Sequence, residues 1–121
     1  MKPSKILSAE EAILLIEDGA TVGRIGGGGG LRRATVLHQA VAWRFLQSNE
    51  PRDLTVVHAL GIGDRESRGM NCFANSGLVK RVIDGHWVWS PRVQEIARNE
   101  EIEDYVLPGG VKSMPAACFK P

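Results

Sequence analysis

The chain has 121 residues, with 15 Lys and Arg against 14 Asp and Glu for a net charge of +1, so no single-sign field gathers nucleic acid or an anionic membrane. With 43% hydrophobic and 24% charged residues it reads as one globular domain or part of one, neither disordered nor long enough for two complete domains. Its longest clean apolar run, Ala12 to Ile16, is far below the roughly 20 residues of a membrane span. Acidic residues bracket that run where a secretory signal stays apolar, so a cytoplasmic location is expected.

In chain order, Ser8-Ala9-Glu10-Glu11 is a capping box, and a helix follows with Ala12, Ile13, Leu14 and Ile16 until Asp18-Gly19, whose glycine suits a left-handed cap. Ala20 to Ile25 reads as a strand running into five consecutive glycines, Gly26 to Gly30. A second helix is expected from about Arg33 to Gln47, with Val36, Leu37, Ala40, Val41, Arg44 and Phe45 on one face, ending near Ser48-Asn49 and Pro51. Asp53 to Leu60 is a near-continuous apolar run of the kind found in parallel strands covered on both sides. Gly61 to Asn75 is polar and glycine-punctuated, a long loop at a strand end, in which Arg65, Glu66 and Arg68 form a solvated charge cluster. Leu78 to Ile83 is a short strand, and Ser90-Pro91 supplies a capping serine and a first-turn proline to a third helix facing inward with Val93, Ile96 and Ala97. Ile102 to Leu107 makes a further strand before the turn at Pro108-Gly109-Gly110. Alternating strands and helices imply βαβ units.

Five adjacent glycines cost about 2 to 5 kcal/mol in unfolded-state entropy relative to alanine. Between a strand and a helix they leave main-chain amides bare for a ligand, with a flexible turn as the plain alternative. No register of the run fits G-x-G-x-x-G, and no Lys-Ser or Lys-Thr follows it, so neither nucleotide-binding template applies. His38, His58 and His86 lack metal-ligand spacing and read as structural. Trp87 and Trp89 read as a packed sheet edge before an aromatic platform, and Cys72 and Cys118 as free thiols.

Several stretches in shared order carry a family resemblance: Asp18 to Val22, Gly26 to Leu31, Pro51 to Thr55, Gly63-Asp64, Arg68-Gly69-Met70-Asn71, Gly77 to Ile83, Gly85-His86-Trp87 and Leu107-Pro108-Gly109-Gly110-Val111. Together they resemble the N-terminal part of family I CoA-transferases, the acyl-CoA:acetate and 3-oxoacid type that includes propionate CoA-transferase. The likeness covers residues 5 to about 113, so 1–113 is assigned to the N-terminal part of such a domain and 114–121 to a divergent tail, expected from truncation or a frameshift. The fold implied is α/β, an open, mostly parallel sheet flanked by helices on both faces and truncated here.

The activity implied is transfer of CoA from an acyl-CoA to a free carboxylate through a glutamyl-CoA thioester, as in ketone-body or short-chain fatty acid metabolism. The resemblance makes Gly26, Gly27, Gly28, Gly29 and Gly30, with Asn71 and Gly109, the substrate and CoA-binding residues. The nucleophilic glutamate is expected outside this chain, which alone should be inactive. No metal and no cofactor are implied, coenzyme A being a substrate. The implied partners are acyl-CoA, carboxylates, a complementary C-terminal half or subunit, and further copies in a homo-oligomer. Family members commonly place Leu, a variable residue, Glu and Pro where this chain has Leu31-Arg32-Arg33-Ala34. They often have His where it has Cys72 and Asn75, and many have Gln in place of Gly109. A noncatalytic acyl-CoA or anion-binding remnant and a nonfunctional truncated product are the alternatives.

Overall fold

The computed structural model describes residues 4–24 and 33–108. Helix α1, Ala9–Ile13, opens on the expected capping box: the Glu11 amide donates to Ser8 Oγ at 3.1 Å and the Ser8 amide to Glu11 Oε2 at 2.8 Å. It is shorter than the spacing predicts. Residues 14–16 tighten into i→i−3 bonds, and Arg44 Nη1 donates to the Ile13 and Ile16 carbonyls at 2.8 and 2.9 Å, taking acceptors that a longer helix would use internally. Gly19 does adopt positive φ, 74°, but its amide donates to the Arg52 carbonyl at 2.8 Å, so it anchors a later loop and caps no helix.

Strand β1, Thr21–Arg24, is followed by α2, Thr35–Ser48, and β2, Leu54–His58. Asn49 ends α2 in the left-handed conformation that asparagine tolerates, its amide on the Phe45 carbonyl at 2.7 Å. The 3₁₀ turn Met70–Phe73, β3, Val79–Asp84, α3, Pro91–Arg98, and β4, Glu103–Val106, complete the order. The sheet runs β1-β2-β3-β4 with every pairing parallel.

One apolar cluster joins Ile13 of α1, Val41 and Phe45 of α2, Leu54 and Val56 of β2, Val82 of β3, Val93 of α3 and Met70 and Phe73 of the 3₁₀ turn. Leu54, Val56 and Val82 alternate with their neighbours, so the described helices cover one face of the sheet. Thr55, Val57 and Ile83 on the opposite face stay half-exposed, whereas the sequence suggested cover on both sides.

The inward face of α2 also differs from expectation. His38, Val41 and Phe45 are buried, while Val36 and Leu37 are exposed, because α2 rests on α1 and the 3₁₀ turn in a different rotation. Segment 61–75 is no solvated loop throughout: Ile62, Met70, Asn71, Cys72 and Phe73 are buried, and only Arg65 to Arg68 face water. Trp87 and Trp89 lie in the β3–α3 connection, off the sheet edge. No described helix is long and apolar enough to cross a membrane.

Candidate functional site at the carboxyl edge of the sheet

Because every strand is parallel, all carboxyl ends meet at one edge, where open α/β sheets bind ligands. The last residues of β1, β2 and β3 are Arg24, His58 and Asp84. Register pairs Arg24 with His58, and alternation turns all three toward the helix-covered face. A cation, an imidazole and a carboxylate therefore form a row across three strands.

His58 and Asp84 have fully buried side chains, with Nε2 3.2 Å from Oδ2. His58 Nδ1 lies 2.7 Å from the Leu60 carbonyl, which can only accept, so Nδ1 carries the hydrogen of that bond.

At the other end of the row, Arg24 Nε donates to His38 Nε2 at 3.1 Å, Nη2 lies 2.8 Å from Nδ1 of the same ring, and Nη1 contacts Met70 Sδ at 2.8 Å. The guanidinium carbon sits 4.4 Å from the Phe73 ring centroid. Burial, only partly offset by the nearby Cys72 thiol, pulls Arg24 down to about 10. Burial, with Arg24, Arg33 and His58 beside it, pushes His38 down to about 3, so the ring is neutral at ordinary pH. Beneath this pair lies a cavity of about 430 Å³ between β1, α1 and α2, walled by Ile13, Ile16, Val22, Val41 and Phe73.

The loops over the edge are fastened by short-range bonds. Asp64 Oδ1 accepts from the Glu66, Ser67 and Arg68 amides, each at 2.9 Å. Burial raises the Asp64 pKa, but these three donors and Arg33 outweigh it and hold the carboxyl below its usual value. A Cβ on Gly63 would strike the Trp89 carbonyl, and one on Gly61 the His86 ring, so close approach requires both glycines. Ser90 occupies the expected N-cap position of α3, but its hydroxyl donates to the Ile62 carbonyl at 2.8 Å and caps nothing. Burial raises the Cys72 thiol above its ordinary pKa, and Sγ lies 3.3 Å from the Ser67 carbonyl.

Among the residues singled out from sequence, Asn71 is fully buried. Its Nδ2 donates to the Arg68 and Trp89 carbonyls at 3.0 and 3.1 Å, and its Oδ1 accepts from the Arg92 amide at 3.3 Å. Gly26 to Gly30, Gly109, Cys118 and the 114–121 tail lie outside the described residues. The structure brings His38 and His58 to the edge beside Arg24 and Asp84, two residues that motif reading passed over. Their places near the carboxyl ends of the expected strands, Arg24 one residue before the end of 20–25 and Asp84 one residue beyond 78–83, were the available signal.

No family model matches the chain. It is 43% identical over 106 residues to the acetate CoA-transferase YdiF of Escherichia coli K12 and 34% identical over 110 residues to the caffeate CoA-transferase of Acetobacterium woodii. These matches cover 88% and 89% of this chain but 20% of each relative, so it spans about one fifth of the curated relatives' length. The crystal structure of the acyl-CoA transferase YdiF from E. coli O157:H7, in its thioester complex with CoA, superposes with a TM-score of 0.83 at 43% identity, over 87% of this chain and 20% of that one. The apoenzyme gives 0.81 at 42% identity, over 92% and 23%. With its parallel sheet matching theirs, the chain is homologous to one portion of the CoA-transferases.

Proposed function

We propose that this chain is the N-terminal portion of a transferase that moves CoA from an acyl-CoA thioester to a free carboxylate. The supporting observation is the 43% identity to an acetate CoA-transferase, joined to the 0.83 superposition on a thioester complex with CoA. In the proposed reaction a glutamate carboxylate from the rest of the protein attacks the acyl carbonyl and expels CoA thiolate, leaving an acyl-glutamyl anhydride. The thiolate then attacks the glutamyl carbonyl, releasing the first carboxylate and forming a glutamyl thioester. The acceptor carboxylate attacks that thioester and expels CoA thiolate, which takes the acceptor's acyl group from the resulting anhydride and frees the glutamate.

In this reading the amides of Gly26 to Gly30 donate to the developing oxyanion, where fixed donors stabilise charge without reorganising. The family resemblance assigns Gly109 to the substrate-binding residues, and Asn71 contributes by holding the 68–92 connection in place. The names of the relatives, acetate and caffeate transferases, differ in the acid, so the acceptor is left open.

Mixing this chain with the complementary portion of a relative and following CoA transfer by mass spectrometry tests the proposal. The mixture should transfer CoA and neither part alone should. A well-folded pair that binds together yet transfers nothing refutes it.

A further inference from the structure

We propose that Arg24 and Arg33 moor the two ends of the Gly26–Gly30 run on opposite arms of the 62–70 turn, and that Arg33 thereby acts as a positioning residue for the run. The mooring goes beyond the transferase reading, whereas the positioning role rests on it.

The first argument is where the two arginines land. Arg24, two residues before the run, places Nη1 2.8 Å from Met70 Sδ, and Arg33, three residues after it, donates from Nη1 to the Gly63 carbonyl at 3.1 Å. Gly63 and Met70 stand on facing arms of one turn. Gly63 pairs with Gly69 in an antiparallel bridge, and the Met70 amide donates to the Ile62 carbonyl at 2.9 Å. Gly69 has φ 69°, and a Cβ there would strike the Gly63 main chain, so the arms lie in contact.

The second argument is that this base is itself fastened. Ser90 Oγ donates to the Ile62 carbonyl at 2.8 Å, and the Arg65 amide and Asn71 Nδ2 both donate to the Trp89 carbonyl, at 3.0 and 3.1 Å. Asp64 Oδ1 gathers the Glu66, Ser67 and Arg68 amides across the tip. Pinning both ends of a glycine segment to such a base removes conformations that its residue type leaves open.

The third argument is the entry to α2. Ala34, the N-cap residue, makes no side-chain hydrogen bond, and it stands where family members commonly have a proline that would fix φ. The Glu common at position 33 in the family only accepts when ionised, so it cannot bond the Gly63 carbonyl. In this chain the Arg33 bond fixes the entry instead.

The test begins with nitrogen-15 relaxation of the 121-residue chain. Order parameters of the Gly26 to Gly30 amides should lie near about 0.85 in the parent and fall toward about 0.6 in Arg33→Met, which keeps an apolar stem and loses the donors. β2 and α3 should be unchanged, Arg33→Lys should restore the parent values, and Arg98→Met, at an exposed site on α3, should leave the run as it was. Low values in the parent, no fall in Arg33→Met, a fall shared by β2 and α3, or no rescue by lysine overturns the mooring. In the transfer assay with the complementary portion, misplaced donors should lower kcat about tenfold or more in Arg33→Met, with KM for the acyl-CoA within about twofold and activity recovered in Arg33→Lys. An unchanged kcat, or a raised KM alone, overturns the positioning role. A parent mixture that transfers nothing refutes the transferase reading and the positioning role with it, while the order parameters still decide the mooring.

Discussion

His38, on the first turns of α2, faces the guanidinium of Arg24 at the end of β1, with Nε donating to Nε2 at 3.1 Å and Nη2 only 2.8 Å from Nδ1. One buried ring thus ties the helix after the glycine run to the strand before it. It does so as a neutral acceptor, since burial and the neighbouring cations Arg24 and Arg33 hold it to about 3.

That neutrality sets an acid limit on stability. Between pH 6.5 and about 3 the unfolded chain binds a proton at His38 that the folded chain refuses, so stability falls as pH drops through that window. Urea midpoints measured from pH 7 to 4 should decline more steeply for the parent than for His38→Gln. Equal slopes would mean that the ring is not held neutral.

Leu54 is fully buried and Leu46 is 63% exposed. Leu54→Ala should cost about 2 to 5 kcal/mol, a large share of a net stability of about 5 to 15. Leu46→Ala should change it by no more than about 0.5 kcal/mol. Chemical denaturation of the two variants checks the ratio.

Two glycines should respond oppositely to alanine. At Gly63 the new methyl meets the Trp89 carbonyl, so the 62–70 turn has to shift and the midpoint should fall. At Gly23, on β1, nothing lies within 4 Å of the added atom, so the smaller unfolded-state entropy should raise stability by about 0.4 to 1 kcal/mol. Thermal melts of both variants decide the matter.

Asn71→Asp replaces an amide donating to two carbonyls with a group that only accepts when ionised. Leaving those carbonyls unmet should cost about 1 to 3 kcal/mol each. The loss should be smaller near pH 4, where the carboxyl regains a proton to donate. A pH-independent loss would contradict the contacts assigned to Asn71.

Most strand and helix positions were legible because they rest on local rules: the Ser8–Glu11 box, Pro91 at the first turn of α3, and the apolar run Asp53 to Leu60 that holds β2. The order of short motifs was equally legible, and the CoA-transferase homologues bear out the resemblance that it carried. The early end of α1 was hidden, since it depends on Arg44, 31 residues away, reaching the Ile13 carbonyl. So was the rotation of α2, because a helix with apolar residues on several sides has no preferred face until a neighbour selects one.

What amino-acid order alone determined was the succession of elements and the parallel character of the sheet, through capping chemistry, periodicity and chain punctuation acting over a few residues. Only the tertiary structure decided that Arg24, His38, His58 and Asp84 converge. Parallel strands bring their final residues to one edge whatever their separation along the chain, and burial there turns ordinary side chains into a largely buried cation, a neutral imidazole and a buried histidine–aspartate pair.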